Sequence, residues 1–391
     1  MKTRITHVTL IRRHDLLPDA AIDIENGKIL AVHETPPAEN PAFACFDGGG
    51  LYAAPGFIDL HLHGGGGVEF MDATPEEIRR GCAAHARHGT TSLLPTTLAA
   101  PDAMTLRMIE TVREAQTITT ECSILGVHLE GPFLSPAQSG AQSPDALGVP
   151  TPQRWETLLN AWPEGVKIMG VAPELPGAME LGEELRRRGI VATIAHSDAD
   201  YDTCVQAMAH GFVDVTHLYS GCSMVHRIQG YRHGGVVEAG LLEDGLTVQV
   251  IADGKHLPPE LLRLIVKCKG ADAISLITDA LFAAGADLPE GTVLRQANGM
   301  ETILEDGVMK LPDRQAFAGS IATMDRLVRN MVQLAGVPLW DAVQMATGTP
   351  AARIGLQGVK GSLEPGCDAD LVLLDKELTV RRVMAMGNWI V

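Results

Sequence analysis

Pro55-Gly56-Phe57-Ile58-Asp59-Leu60-His61-Leu62-His63-Gly64-Gly65-Gly66-Gly67 is the stretch on which the reading of the chain turns. On a β-strand, residues i and i+2 share a face, so His61 and His63 leave the end of the apolar run 57–60 side by side. The four glycines cannot continue a strand comfortably, but they let backbone pass close to whatever the two imidazoles hold. This is the look of a metal site at a strand mouth. Alone, the pair is equally well explained by two surface histidines before a flexible loop. The reading therefore depends on whether ligand-type residues recur at later strand ends.

They do. Short apolar runs closing on a polar residue occur at 57–63, 91–96, 124–130, 166–172, 191–196, 213–218, 247–252 and 273–279. Helical patterns fill gaps between them, for example 74–88, 101–115, 179–188 and 258–269, with Thr or Pro start signals or a closing Gly. Eight such units predict an α/β protein built on a TIM-type (β/α)8 barrel, whose catalytic groups sit at the C-terminal ends of the strands.

The flanks read differently. The run 5–11 is strand-like, 20–32 holds two short apolar runs around the hairpin signal Glu25-Asn26-Gly27-Lys28, and 369–374 and 380–391, the latter broken at Gly387-Asn388, look similar. The two ends are expected to pair into one small β-sandwich domain, residues 1–53 and 355–391, beside a barrel of residues 54–354. The Pro- and Gly-rich segment 135–152 follows a strand end and is expected to be a long loop over the site.

With 391 residues, 46% of them apolar, the chain can bury a large core. A formal net charge of −17 excludes a general field for nucleic acid or anionic membrane, so an anionic substrate must be caught by local cations. Seven cysteines without CxxC spacing argue against a disulfide framework and for reduced thiols. No signal-peptide h-region and no apolar run of membrane-spanning length is found, so a soluble, cytoplasmic protein is the expectation.

His61, His63, Glu130, His196, His217 and Asp279 end predicted strands and would converge on one barrel mouth. Each singly could be a buried hydrogen-bonded side chain or a helix cap. Together they offer imidazole nitrogen and carboxylate oxygen, the ligand set of catalytic zinc and related first-row divalent ions. Three ligands, Glu130, His196 and His217, leave a tetrahedral ion one open position for water, as hydrolysis requires. His128, two residues before Glu130, reads as an interior histidine beneath the ion.

His-Leu-Glu-Gly-Pro-Phe (128–133), Ala-His-Ser-Asp-Ala (195–199), Thr-His-Leu-Tyr (216–219), Ile-Ala-Asp-Gly-Lys-His (251–256), Leu-Ile-Thr-Asp-Ala (276–280), Ala-Gly-Ser (318–320) and the segment 361–372 follow one another in a specific order. In this the chain resembles the N-acetylglucosamine-6-phosphate deacetylases of the amidohydrolase superfamily. The resemblance implies removal of acetate from N-acetyl-D-glucosamine 6-phosphate, with metal ligation by Glu130, His196 and His217 and acid/base work by Asp279. It also implies a zinc ion, with iron or another first-row ion as the alternative. One or two ions fit, and the presence of His61 and His63 favours two, the second bridged by Glu130 and touched by Asp279.

Substrate contacts are carried over more loosely. Gln142 stands where some relatives have a histidine in a Gly-x-His-x-Pro pattern, and it can donate a hydrogen bond without carrying charge. Ser220 and Gly221 depart from the usual loop. Arg232 falls where a phosphate-binding arginine is expected, with Arg227 and His226 as rivals. His256 resembles a substrate-contacting histidine, and Ala318, Gly319 and Ser320 are expected on a loop near the sugar. A homodimer without nucleic-acid or membrane partners is implied. The rival readings are a deacetylase of N-acetylgalactosamine 6-phosphate, an amidohydrolase of another N-acyl or cyclic amide, and a non-catalytic sugar-phosphate-binding barrel.

Overall fold

The computed structural model describes residues 2–390. Eight parallel barrel strands follow in chain order: Phe57–Leu62, Thr90–Pro95, Val127–Glu130, Val166–Val171, Val191–Ile194, Phe212–Val215, Thr247–Val250 and Ile274–Leu276. The third is preceded by Ser123–Ile124, which pairs with the second strand; the bridges Thr96↔His128 and Leu62↔Ala280 complete the ring. Ile168 of the fourth strand joins Ile58, Leu60, Leu94, Ile251 and Ile277, which lie on or just past the first, second, seventh and eighth strands on the far side of the ring, in one apolar cluster. Such strands can meet only across the interior, which is therefore packed with side chains.

Helices Pro75–Ala86, Asp102–Ile118, Ala178–Arg188 and Pro259–Lys269 stand where periodicity places them. The first shows why: Thr74 accepts from Glu77 N, and the Glu77 carboxylate accepts from Thr74 N at 2.9 Å, closing a capping box before Pro75. The strands are shorter than expected. His63, Thr96, Ala172, His196, Leu218, Ala252 and Asp279 lie beyond the hydrogen-bonded ladders. At His196, His217 and Asp279 the backbone has already turned to φ of 43°, 29° and 48°, which a ladder cannot accommodate.

Both chain flanks enter one eight-stranded sheet. Its order is Asn388–Trp389, Val380–Ala385, Leu371–Leu374, Tyr52–Pro55, Lys2–Ile11, Leu16–Glu25 and Lys28–His33, with Ala44–Asp47 also beside Lys2–Ile11. Asn26 and Gly27, at φ 53° and 76°, make the tight turn read from the sequence. Ile5, Ile22, Ala53, Leu371, Leu373 and Met384 are among the side chains of its separate core. Tyr52–Pro55 continues through Gly56 into Phe57–Leu62, so the sheet and the His-x-His strand share one extended run.

Lys360 ties sheet to barrel. Its buried ammonium lies 2.6 Å from Asp370 and 2.9 Å from Asp368, and it donates to Ser123 Oγ at 3.2 Å, where the third barrel strand begins. Lys360→Met would strand the buried Asp370 carboxylate and leave Asp368 to Lys28 alone, and is expected to cost about 3–5 kcal/mol. A thermal melt should show a clear fall in Tm, and an unchanged Tm would deny the clasp its role.

Two insertions were not legible beforehand. One is the exposed hairpin His226–Ile228 with Tyr231–His233; the other is a four-stranded antiparallel sheet of Val293–Arg295, Glu301–Glu305, Val308–Lys310 and Phe317–Gly319. Ala318 and Gly319, expected on a loop, are therefore strand residues, because the ladder with Val308–Lys310 takes them up. The seven cysteines are free thiols. Among the described residues no helix is long and apolar enough to cross a membrane.

Candidate active site

The six strand-end residues do meet at one mouth. His61 Nε2 lies 3.2 Å from His63 Nε2, and both face Glu130 Oε2, at 3.6 and 3.3 Å, and Asp279 Oδ1, at 3.6 and 3.2 Å. On the other side of the same carboxylate, Glu130 Oε1 lies 3.1 Å from His196 Nε2 and 2.9 Å from His217 Nε2. Glu130 is thus shared between two histidine pairs. Its side chain is 2% exposed, against 12% for Asp279, which is the most open of the six.

Tautomers follow from the outer contacts. Nδ1 of His63 meets Thr96 O at 3.2 Å, that of His196 meets Gln138 O at 2.7 Å and that of His217 meets Ser220 O at 3.0 Å. A carbonyl only accepts, so each Nδ1 carries the proton and each neutral ring turns the lone pair of Nε2 inward. Lone pairs then converge on carboxylate oxygens at about hydrogen-bond distance, an acceptor-on-acceptor arrangement that only a cation or extra protons can satisfy. Burial works against a charged His63, yet the Asp279 and Glu130 carboxylates push it up to about 10. Burial would raise Glu130, but the imidazoles hold it well below the usual carboxylate range.

The ligand atoms of His61, His63 and Asp279, and likewise those of His61, Glu130 and His217, lie within 4.8 Å of one another. Imidazole and carboxylate donors held this closely, with carbonyls fixing the rings from behind, fit one or two divalent first-row ions.

The remaining sequence-predicted residues separate into those that meet this cluster and those that do not. Gln142 is buried against it: Ala99 N donates to its Oε1 at 2.7 Å, and its Nε2 donates to Glu130 Oε2 at 2.7 Å. The amide orients the shared carboxylate, with one N–H left over. The loop 135–152 thus reaches into the site through Gln138 and Gln142. Ser220 supplies the carbonyl behind His217, and a Cβ on Gly221 would lie 2.7 Å from His196 Nδ1, so that loop buttresses both rings. His128 is the interior histidine expected: its Nδ1 donates to Leu60 O at 3.0 Å, its ring centroid lies 4.6 Å from that of His61, and burial pushes its pKa well down.

Gly319, at φ 151°, packs against Asp279, whose carbonyl would sit 2.8 Å from an added Cβ. Ser320 is fully buried; its Oγ donates to Thr278 O at 2.6 Å and its N–H to Asp279 O at 2.8 Å. Gly319 and Ser320 therefore fix the backbone around Asp279. His256 meets Asp253 Oδ2 through Nδ1 at 2.8 Å and abuts Phe317 edge-on at 4.9 Å. Arg227 and Arg232 are cross-strand neighbours on the exposed hairpin, outside the cluster. Asp59 and Thr278 were missed, although a carboxylate inside the apolar run 57–60 was a visible signal.

A closed parallel barrel with a buried carboxylate shared by four histidines, and an aspartate at the last strand, defines a metal-assisted hydrolase. The sequence profile of the amidohydrolase family matches residues 52–390, and the chain belongs to that family.

Within the family its likeness is to amino-sugar-phosphate deacetylases. It is 32% identical to N-acetylgalactosamine-6-phosphate deacetylase of Escherichia coli O157:H7, over 98% of this chain and 99% of that one. It is also 32% identical to N-acetylglucosamine-6-phosphate deacetylase of Lysinibacillus sphaericus, over 88% and 86%. Among solved structures, an aspartate-to-alanine mutant of N-acetyl-D-glucosamine-6-phosphate deacetylase from Mycobacterium smegmatis, in complex with N-acetyl-D-glucosamine-6-phosphate, superposes with a TM-score of 0.89. That pair is 32% identical and covers 100% of this chain and 99% of the other.

Proposed function

We propose that this protein hydrolyses the acetamide of N-acetyl-D-glucosamine 6-phosphate to glucosamine 6-phosphate and acetate. The carrying observation is the shared Glu130 carboxylate with His196 and His217 on one oxygen, His61 and His63 on the other, and the partly open Asp279 beside them.

Glu130, His196 and His217 would hold one ion, and His61, His63, Glu130 and Asp279 would hold a second; zinc would suit these nitrogen and oxygen donors. When bound, a divalent cation supplies Lewis acidity, polarising the acyl oxygen and lowering the pKa of water. Asp279, the most open of the cluster, takes a proton from the attacking water and returns it to the amide nitrogen, which leaves poorly unless protonated. Gln142 keeps the shared Glu130 carboxylate in register throughout. In this reading His256 contacts the sugar, Gly319 and Ser320 act by holding the backbone of Asp279, and Arg232, with Arg227 beside it on the exposed hairpin, binds the phosphate.

The hairpin also exposes Met224, Val225, Ile228 and Tyr231, which supports a homodimer formed there. The seven free thiols support a cytoplasmic setting. Division into a small β domain of 1–53 and 355–391 and a barrel of 54–354 belongs to the same reading, supported by the two separate apolar cores.

Purified protein is expected to release acetate from N-acetyl-D-glucosamine 6-phosphate, to lose that activity on chelation and to regain it with added zinc. Faster release from N-acetylgalactosamine 6-phosphate would transfer the assignment to the galacto epimer. No release from either would end the deacetylase reading.

A further inference from the structure

We propose that Asp59 is a positioning residue which, through Thr278, sets the separation of His61 and Asp279 in the seam between the first and last barrel strands. The proposal rests on the deacetylase reading and adds to it a residue that touches neither substrate nor ion.

The seam is one of two joins in the barrel closed by an isolated bridge. Ladders tie the third strand through to the eighth and the first to the second, whereas the first and last strands are joined by a single bridge, Leu62↔Ala280, just as Thr96↔His128 joins the second and third. Pairing of the first strand with the second also slips between Asp59 and Leu62. The backbone at this level therefore has donors that no neighbouring strand satisfies, and buried donors need acceptors.

Asp59, with no exposed surface, supplies them. Its Oδ1 accepts from His61 N at 3.3 Å and from Thr278 N at 3.2 Å, and its Oδ2 accepts from the Thr278 hydroxyl at 2.5 Å. One carboxylate thus bonds to the backbone of a metal-type histidine and to the residue preceding Asp279.

The contacts continue to Asp279 from both sides. Thr278 Oγ1 accepts from Ala280 N at 3.2 Å, and Asp279 N donates to His61 O at 2.9 Å. Asp279 itself sits at φ 48°, a conformation that persists only when its surroundings over-determine it. The result is the 3.6 Å spacing of His61 Nε2 from Asp279 Oδ1. Loss of the clasp lets the two elements drift, and a misplacement of about 1 Å costs on the order of 100-fold in rate.

Asp59→Asn replaces a carboxylate oxygen by an N–H donor, so the side chain can no longer accept from all three partners, and Thr278→Val removes the hydroxyl donor, both at nearly constant side-chain volume. In the metal-loaded enzyme each is expected to lower kcat about 10–100-fold with KM held within about twofold. Each should also weaken the more loosely held ion by about 10–100-fold, read by dialysis against graded zinc and elemental analysis. Thr278→Ser keeps the hydroxyl and is expected to restore both quantities. The double variant should be no worse than the worse single one, because the two side chains act as a unit.

Wild-type kcat and zinc affinity in both single variants would overturn the proposal. So would a loss carried wholly by KM, or a Thr278→Ser enzyme as impaired as Thr278→Val. If the wild-type protein releases no acetate from either sugar phosphate, the functional reading fails, and the zinc titration alone then decides the role of Asp59.

Discussion

Asp279→Asn is expected to lower kcat by about three orders of magnitude while the protein retains bound metal. General acid–base transfer is worth roughly 100- to 10,000-fold, and an amide side chain can neither take a proton from water nor deliver one to a departing amine. The substitution keeps the size of the side chain and an oxygen that can face His63, now 3.2 Å away. Glu130, His196 and His217 are untouched, so at least one ion per chain should remain by elemental analysis. Steady-state acetate release is the second measurement. An unchanged kcat would remove Asp279 from the chemistry, and loss of all metal would make it a ligand first and a proton carrier second.

Glu130→Gln is expected to be as damaging by a different route. Glu130 places one oxygen against His196 and His217 and the other against His63, with His61 slightly farther off. Buried ligand sets of this kind depend on the carboxylate's charge as well as its shape. A glutamine retains the shape, and its N–H groups can donate to the inward lone pairs, so folding should survive. With no buried anion to share, metal content after dialysis is expected to fall below about one tenth per chain, and activity with it, given that apparent affinity drops by more than the roughly 10–100-fold seen for outer contacts. Circular dichroism and elemental analysis separate the two effects. Metal content equal to that of the unsubstituted protein would refute the shared-ligand arrangement.

Chemistry was legible in the sequence wherever it rode on strand ends. Alternation and breaks in apolar runs located His61, His63, Glu130, His196, His217 and Asp279, because a barrel turns a one-dimensional spacing into a ring of residues at one face. The helices were readable from caps such as Thr74 and Glu77. What escaped was context that no local pattern encodes. Gln142 reads as a free hydrogen-bond donor until the loop folds down and commits it to Glu130. Phe317–Gly319 reads as loop until residues 308–310 pair with it across a turn. Asp59 lies in plain view, but its meaning depends on Thr278, more than two hundred residues away, and on a seam visible only once the ring has closed.

The order in which the chain leaves the ribosome bears on when this protein can begin to work. The strand carrying His61 and His63 grows out of Tyr52–Pro55, whose neighbour Leu371–Leu374 is made more than three hundred residues later. Gly56 N, at the root of that strand, donates to Asp370 O at 2.9 Å, again a late arrival. Until those residues emerge, Tyr52–Pro55 has an unpaired edge and the base of the metal strand is unsupported. Contacts between segments this far apart in the chain form late and slowly. The base of the active site is therefore completed only when strands more than three hundred residues downstream have paired with it.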